Sequence, residues 1–283
     1  MSKIVIGTVQ FGIEYGINNL KIIPEDDAVR EILQYANENN IKILDTAIGY
    51  GRSEQRLGYL METEFEIISK FSKLNNKEDL RKALNATLKK LKIAKLYGFL
   101  FHDANELIKN PLLWNFLEDL KKESKIKKLG YSIYNTGQLD QLIEFGFIPD
   151  IVQLPYSLLD RQFENYFKKL KQYNVEIHIR SVFLQGLYFK ALDKFPENLF
   201  SLKKEIKILN ELCVDNDVTM TSLALNFVKQ NPFIDYIVLG VISKKQLVEN
   251  LISLNQELSE KIMKSIKKID VKNKKLLNPN NWN

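Results

Sequence analysis

Short apolar runs alternate with stretches of helical periodicity along almost the whole chain. Strands are expected near 4–7, 42–45, 66–70, 96–101, 127–132, 151–154, 176–181 and 236–239, where β-branched and aromatic residues cluster. Between them lie segments such as EDDAVREILQYANENN, LLWNFLEDLKK and FENYFKKLKQYN, whose apolar residues recur at three- and four-residue spacing. Two further helical stretches, SLKKEIKILNELCVDN and MTSLALNFVKQN, precede the last strand. Regular alternation of this kind signals parallel βα units. Eight strands point to an α/β fold of the (β/α)8 TIM-barrel type. An open doubly wound sheet is the rival, but it lacks its glycine-rich phosphate turn after the first strand. No linker or low-complexity block interrupts the pattern, so residues 1–283 read as one domain with a short polar tail near 272–283.

Strand parity then singles out four polar residues. Side chains alternate faces along a strand, so Ile43 and Asp45, Ile68 and Lys70, and Leu100 and His102 each share a face. In each pair the apolar member lies deeper and the polar member stands at or just past the strand's downstream end. Tyr50 follows in the loop after Asp45. In a barrel of this kind those ends meet on one rim, where active sites are built. Taken singly, each residue has a plainer reading: Asp45 as a turn former, Tyr50 as packing, Lys70 as an exposed lysine, His102 as part of a turn with Asp103. Taken together they suit proton transfer. A phenol with a reference pKa of about 10 is a poor acid or base near neutrality. A neighbouring ammonium favours the phenolate, a carboxylate holds that ammonium, and a neutral imidazole orients an oxygen. Such a set protonates an oxygen that gains negative charge, and it contains no hydride source or nucleophile, so an organic cofactor is implied.

Composition narrows the alternatives. The formal charge of +6 invites a nucleic-acid partner, but the lysines are interleaved with glutamates on helical faces. The densest basic run, KKESKIKK at 121–128, lies between a helix and a strand with no nucleic-acid motif beside it. No apolar run approaches a membrane span, and the first residues have neither the length nor the flanks of a signal peptide. The single cysteine, Cys213, excludes an internal disulfide and reads as a core filler. Two histidines without zinc-type spacing argue against a metal site. A cytoplasmic enzyme with a small-molecule substrate is the expectation; nothing in the sequence fixes the oligomeric state.

The motifs G-T-x-x-F-G at 7–12, L-D-T-A-x-x-Y-G-x-S-E-x-x-L-G at 44–58, S-K at 69–70, F-H at 101–102, L-G-Y-S at 129–132, V-Q-L-P-Y-S at 152–157 and G-V-I-S-K-K-Q-L-V-E-N at 240–250 resemble those of the aldo/keto reductases. The resemblance spans nearly the whole chain. It implies a barrel that interconverts carbonyls and alcohols with a nicotinamide cofactor and no metal. Tyr50 would be the acid and base, Lys70 and Asp45 would tune it, and His102 would orient the carbonyl. Thr8 and Asp45 would lie beside the nicotinamide ribose, Ser132 and Gln153 at the carboxamide, and Ser181, Leu184 and Gly186 along the pyrophosphate. Gly240, Ser243, Gln246, Glu249 and Asn250 would meet the adenosine end. NADP(H) is favoured over NAD(H), because Lys244, Lys245 and Gln246 follow Ser243 there and could meet a 2′-phosphate with charge and hydrogen bonds.

Two positions depart from the family pattern. Arg180 stands where an aromatic usually covers the nicotinamide, and Ile133 replaces a common asparagine. Phe11, Trp114, Tyr156 and Trp282 are candidates for a substrate wall. Glu176, His178 and Arg180 share one strand face and read as an interior hydrogen-bond network. Two other functions fit the same pattern: a cofactor-binding sensor with little turnover, and a net non-redox reaction, for instance on a sugar derivative, in which hydride is removed and returned.

Overall fold

The computed structural model describes residues 3–17, 22–74 and 76–282. Eight strands form a closed barrel: β1 (Ile4–Gly7), β2 (Ile43–Asp45), β3 (Glu66–Phe71), β4 (Leu96–Phe101), β5 (Ile126–Ser132), β6 (Ile151–Pro155), β7 (Glu176–Arg180) and β8 (Tyr236–Gly240). Each strand pairs in parallel with its sequence neighbour, and β8 closes on β1 with Gly7 opposite Gly240. The expected strands differ from these by one residue at an end at most, which is the fraying natural to strand termini.

The closure sorts the apolar residues into two sets. Val5, Ile43, Ile68, Leu100 and Ile151 form a small cluster packed with Val238. Gly98 faces the same space, since a Cβ there would stand 3.0 Å from Ile151 and 3.2 Å from Ile68. The larger cluster joins the other strand residues to the surrounding helices, among them Asp26–Glu38, Lys77–Leu91, Leu112–Lys122 and Met220–Lys229. These helices start on strong local signals. Asn76 caps Lys77–Leu91 by accepting from Asp79 N, and Asn135 forms a capping box with Gln138 ahead of Thr136–Glu144.

At the amino-end side, Glu176 accepts hydrogen bonds from Tyr97 and from Lys128 and lies 3.3 Å from His178 Nε2. Burial works to raise Glu176, but the bonds from His178, Lys128 and Tyr97 outweigh it and hold the carboxyl down at about 2. His178 is fully buried against the ring of Tyr236. Arg180, at the opposite end of β7, takes no part in this network. The basic run at 121–128 is tied down by acids: Lys121 pairs with Asp150, Lys122 with Asp119, Lys127 with Glu66 and Lys128 with Glu176. Cys213 is partly buried on the helix Lys203–Asp215, where burial pushes its thiol up to about 11. Among the described residues, no helix is long and apolar enough to cross a membrane.

Candidate active site

The carboxyl ends of β2, β3, β4 and β6 deliver one connected polar cluster. Asp45 closes β2, and its backbone oxygen accepts from Thr8 N at 2.9 Å and Thr8 Oγ1 at 3.0 Å. Its carboxylate spans the barrel: Oδ1 accepts from Lys70 Nζ at 2.5 Å and Oδ2 from Gln153 Nε2 at 2.8 Å. Lys70 also donates to Thr46 O at 3.0 Å. Both members of the ion pair are buried, Lys70 completely. Burial pushes Lys70 below the usual ammonium range, and the charge of Asp45 works against that shift.

Tyr50 sits in the turn between β2 and the helix Ser53–Leu60, closed by Tyr50 N to Ala47 O and Ser53 N to Tyr50 O. Two glycines make this turn possible. Gly51 has φ +57°, and a Cβ on Gly12 would stand 1.8 Å from Tyr50 O. The ring of Tyr50 meets His102 edge-on, with centroids 5.5 Å apart, and Lys70 Nζ lies 5.3 Å from its centroid. Burial, followed by the charge of Asp45, raises Tyr50 well above 10. This differs from the expected lowering by Lys70. The ammonium is matched by Asp45 at 2.5 Å, so the pair offers the phenol little net positive charge. His102 follows β4, where its backbone N–H donates to Phe71 O. Burial, then the ammonium of Lys70, lowers its imidazole to about 4, so the ring is neutral at physiological pH.

Other residues of segment 44–58 prove to be scaffold. Ser53 Oγ bonds Thr8 and lies 3.1 Å from Thr46 Oγ1. Glu54, buried, accepts from Ser69 at 2.7 Å and Thr87 at 3.0 Å and lies 3.5 Å from Lys90 Nζ. A Cβ on Gly58 would stand 2.0 Å from Lys90 O, so the glycine allows the two helices to touch. The sequence motif is thus as much about holding the tyrosine turn as about chemistry.

From the polar cluster a cavity of about 720 Å³ runs across the ends of β1, β7 and β8. Asp45, Tyr50, His102, Thr8, Ser132 and Gln153 line its inner part; Ser181, Gly186, Gly240, Gln246, Glu249 and Asn250 line the rest. Arg180 also lines it, donating to Ile133 O at 2.9 Å and to Ser181 Oγ at 3.3 Å, with its guanidinium 4.4 Å from the ring centroid of Tyr134. The cavity suits an elongated polar nucleotide. Gln10 Oε1 is buried without a hydrogen-bond partner beside Gly240, where a Cβ would stand 2.5 Å from that oxygen. The wall therefore offers an unmet acceptor and a bare backbone for close approach.

Several of the residues singled out in the sequence stand apart from the cavity lining. Lys70 stands behind Asp45 and does not line the cavity. Leu184 is buried, with φ +48°, and anchors the loop from beneath. Ser243 caps the helix Lys244–Ser253 through Gln246 N. Of the four proposed wall aromatics, none lines the cavity. Phe11 is fully buried, Trp114 packs on Tyr131 and Phe147, and Tyr156 stacks on Phe227; the indole N–H of Trp282 donates to Leu276 O. The wall is instead Tyr15, Tyr134, Phe183, Phe189 and Asn278–Asn280. These sit on loops whose convergence has no signature in local periodicity. The loop after β7 holds Ser181, Leu184 and Gln185 at positive φ, a shape that only Gly186 signalled.

Fold and site together define a (β/α)8 barrel with a cluster of buried polar groups gathered on the carboxyl-end rim. The aldo/keto reductase family model matches residues 3–271, and the chain belongs to that family. A curated relative is the NADH-specific methylglyoxal reductase of Escherichia coli (strain K12), 25% identical over 268 residues and covering 80% of this chain and 82% of that protein. An uncharacterized oxidoreductase of Bacillus subtilis (strain 168) is 25% identical over 301 residues, covering 94% and 95%. Among solved structures, the holo form of an aldo-keto reductase from Bacillus halodurans superposes with a TM-score of 0.78 at 19% identity, covering 94% of this chain and 91% of that one. Aldo/keto reductases use nicotinamide cofactors. No group of His, Cys, Asp and Glu residues suited to a metal occurs among the described residues.

Proposed function

We propose that the protein is an NAD(P)H-dependent oxidoreductase that interconverts a small-molecule carbonyl and its alcohol, with Tyr50 as the general acid and base. The carrying observation is the packing of Tyr50 against His102 and Lys70 at the inner end of the cavity, with centroid distances of 5.5 Å and 5.3 Å. A nicotinamide nucleotide held by the cavity would supply the hydride for the carbonyl carbon. Tyr50, whose proton is held firmly by burial, gives that proton to the carbonyl oxygen; in oxidation it takes the proton back. Neutral His102 donates a hydrogen bond to the same oxygen and orients it. Lys70 and Asp45 fix the local charge and hold the cluster rigid between β2, β3 and β6.

The cofactor role falls to residues already on the wall. Thr8 and Asp45 suit the ribose, Ser132 and Gln153 the carboxamide, and Ser181 and Gly186 the pyrophosphate, with Gly240, Gln246, Glu249 and Asn250 at the far end. Arg180, backed by Tyr134, covers the nicotinamide end. Methylglyoxal is a sensible first substrate because the Escherichia coli relative reduces it. Tyr50→Phe should lower carbonyl reduction by about 10²–10⁴-fold, the usual worth of general acid catalysis, with nucleotide affinity nearly unchanged. Full turnover by this variant would remove Tyr50 from the role.

A further inference from the structure

Among the described residues, one charge on the cavity wall lacks a counter-charge. Asp45, the carboxylate of the inner wall, is balanced by Lys70 at 2.5 Å, and His102 is neutral at physiological pH. Arg180 is the one permanent cation of the described lining. Its guanidinium donates to Ile133 O at 2.9 Å and to Ser181 Oγ at 3.3 Å, both uncharged oxygens, and rests on the ring of Tyr134. Asp160 stands close enough to feel this charge, yet its oxygens accept from Gln162 at 3.0 Å and 3.2 Å.

The side chain is turned toward the reacting corner. β7 stands between β6 and β8, and Arg180 leans over β6 to the end of β5, away from Gly240 at the end of β8. Its charge bears on that corner. It works against the burial that raises Tyr15 and Tyr50, and it adds to burial and to Lys70 in lowering His102. The two bonds to Ile133 and Ser181 use only part of the fork of N–H donors that a guanidinium presents.

A partly buried cation with only neutral acceptors gains most from an anion that arrives with a ligand. Bonds from a guanidinium to a carboxylate or a phosphate are charge-assisted and often two-pronged, which fixes orientation as well as affinity. Hydride transfer also requires the carbonyl carbon to meet the nicotinamide, so a group that covers that end of the cavity borders the substrate too. Methylglyoxal, which is neutral, would use the reacting corner and leave Arg180 unmatched.

We propose that Arg180 is a specificity-determining residue that selects carbonyl substrates carrying a carboxylate or phosphate within a few bonds of the reacting carbonyl. The carbonyl oxygen lies at Tyr50 and His102 and the anionic group on the edge of the guanidinium; the inference rests on the oxidoreductase reading above. The test compares aldehydes matched in shape and different in charge: 4-carboxybenzaldehyde against 4-nitrobenzaldehyde, and glyceraldehyde 3-phosphate against glyceraldehyde. The readout is the ratio of kcat/KM within each pair, because any change at the cofactor is shared by both members and cancels. Arg180→Met should lower the anionic-to-neutral ratio of at least one pair at least about tenfold, with the loss falling on KM. Arg180→Lys, which keeps the charge without the fork, should retain part of it, and the pair that responds identifies carboxylate or phosphate as the group held. The wild type gives an independent reading should the variants not fold: benzoate should inhibit 4-nitrobenzaldehyde reduction competitively, at least about tenfold more strongly than benzamide. Ratios unmoved by Arg180→Met, or benzoate no better than benzamide, overturn the inference, while turnover of the neutral aldehydes leaves the oxidoreductase reading standing. Unmoved ratios with weakened nucleotide binding assign Arg180 to the cofactor instead. No turnover of any of these aldehydes overturns both.

Discussion

Asp45→Asn is the most informative perturbation of the fold, because it removes a charge from a pair that is almost entirely buried. Lys70 Nζ lies 2.5 Å from Asp45 Oδ1, and the two side chains are 0% and 4% exposed. The substitution keeps the shape of Asp45 and an amide oxygen for Lys70 to donate to, beside Thr46 O, but removes the negative charge that balances the ammonium. Breaking a buried ion pair by removing one partner typically costs about 3–5 kcal/mol, since the other charge stays desolvated. At about 2.1 cal/mol/K per residue, a chain of 283 residues has an unfolding entropy near 0.6 kcal/mol/K, so this loss lowers Tm by about 5–8 °C. Lys70→Met should also destabilise, because the Asp45 carboxylate then keeps Gln153 but no cation. The double variant removes both charges and should be less destabilised than the sum of the singles by well over the ~0.5 kcal/mol scatter of independent sites. Urea and thermal unfolding of the four proteins give the cycle directly. Additive single effects would falsify the buried pair as drawn.

Three further outcomes follow from other parts of the structure. His102 is lowered to about 4 in the folded chain, so between there and its ordinary value near 6.5 the unfolded chain binds more protons and stability rises with pH; His102→Gln should flatten that slope in urea midpoints, and parallel curves for the two proteins would refute it. Glu54→Ala abandons the hydroxyls of Ser69 and Thr87, at about 1–3 kcal/mol for each buried group, while turnover measured well below Tm stays near wild type; a large loss of turnover in a folded variant would make Glu54 more than scaffold. Arg180→Trp exchanges a cation for an electron-rich face, so the oxidised nucleotide should gain affinity relative to the reduced one; an unchanged ratio of the two dissociation constants would move Arg180 away from the nicotinamide.

The eight strands were legible in sequence because inward and outward faces need different residues at a period of two, and helices need theirs at 3.6. Parity alone placed Asp45 and Lys70 on inward columns with Ile43 and Ile68, and the structure joins them by a hydrogen bond. The motif at 44–58 announced itself because two demands coincide there: the chemistry proposed for Tyr50, and the close packing that Gly12, Gly51 and Gly58 permit. Only the closed barrel revealed that Gln153, on β6, would reach Asp45 on β2, since no local pattern records a contact across 108 residues. The folded chain also decided the cavity wall. Tyr15, Tyr134 and Asn278–Asn280 meet there through loops, while Trp114 and Tyr156, equally plausible as letters, are consumed by the core. The direction of the Tyr50 shift was likewise a tertiary matter. Sequence places an ammonium near a phenol, but burial and the distance from that ammonium to its carboxylate set how much charge the phenol feels.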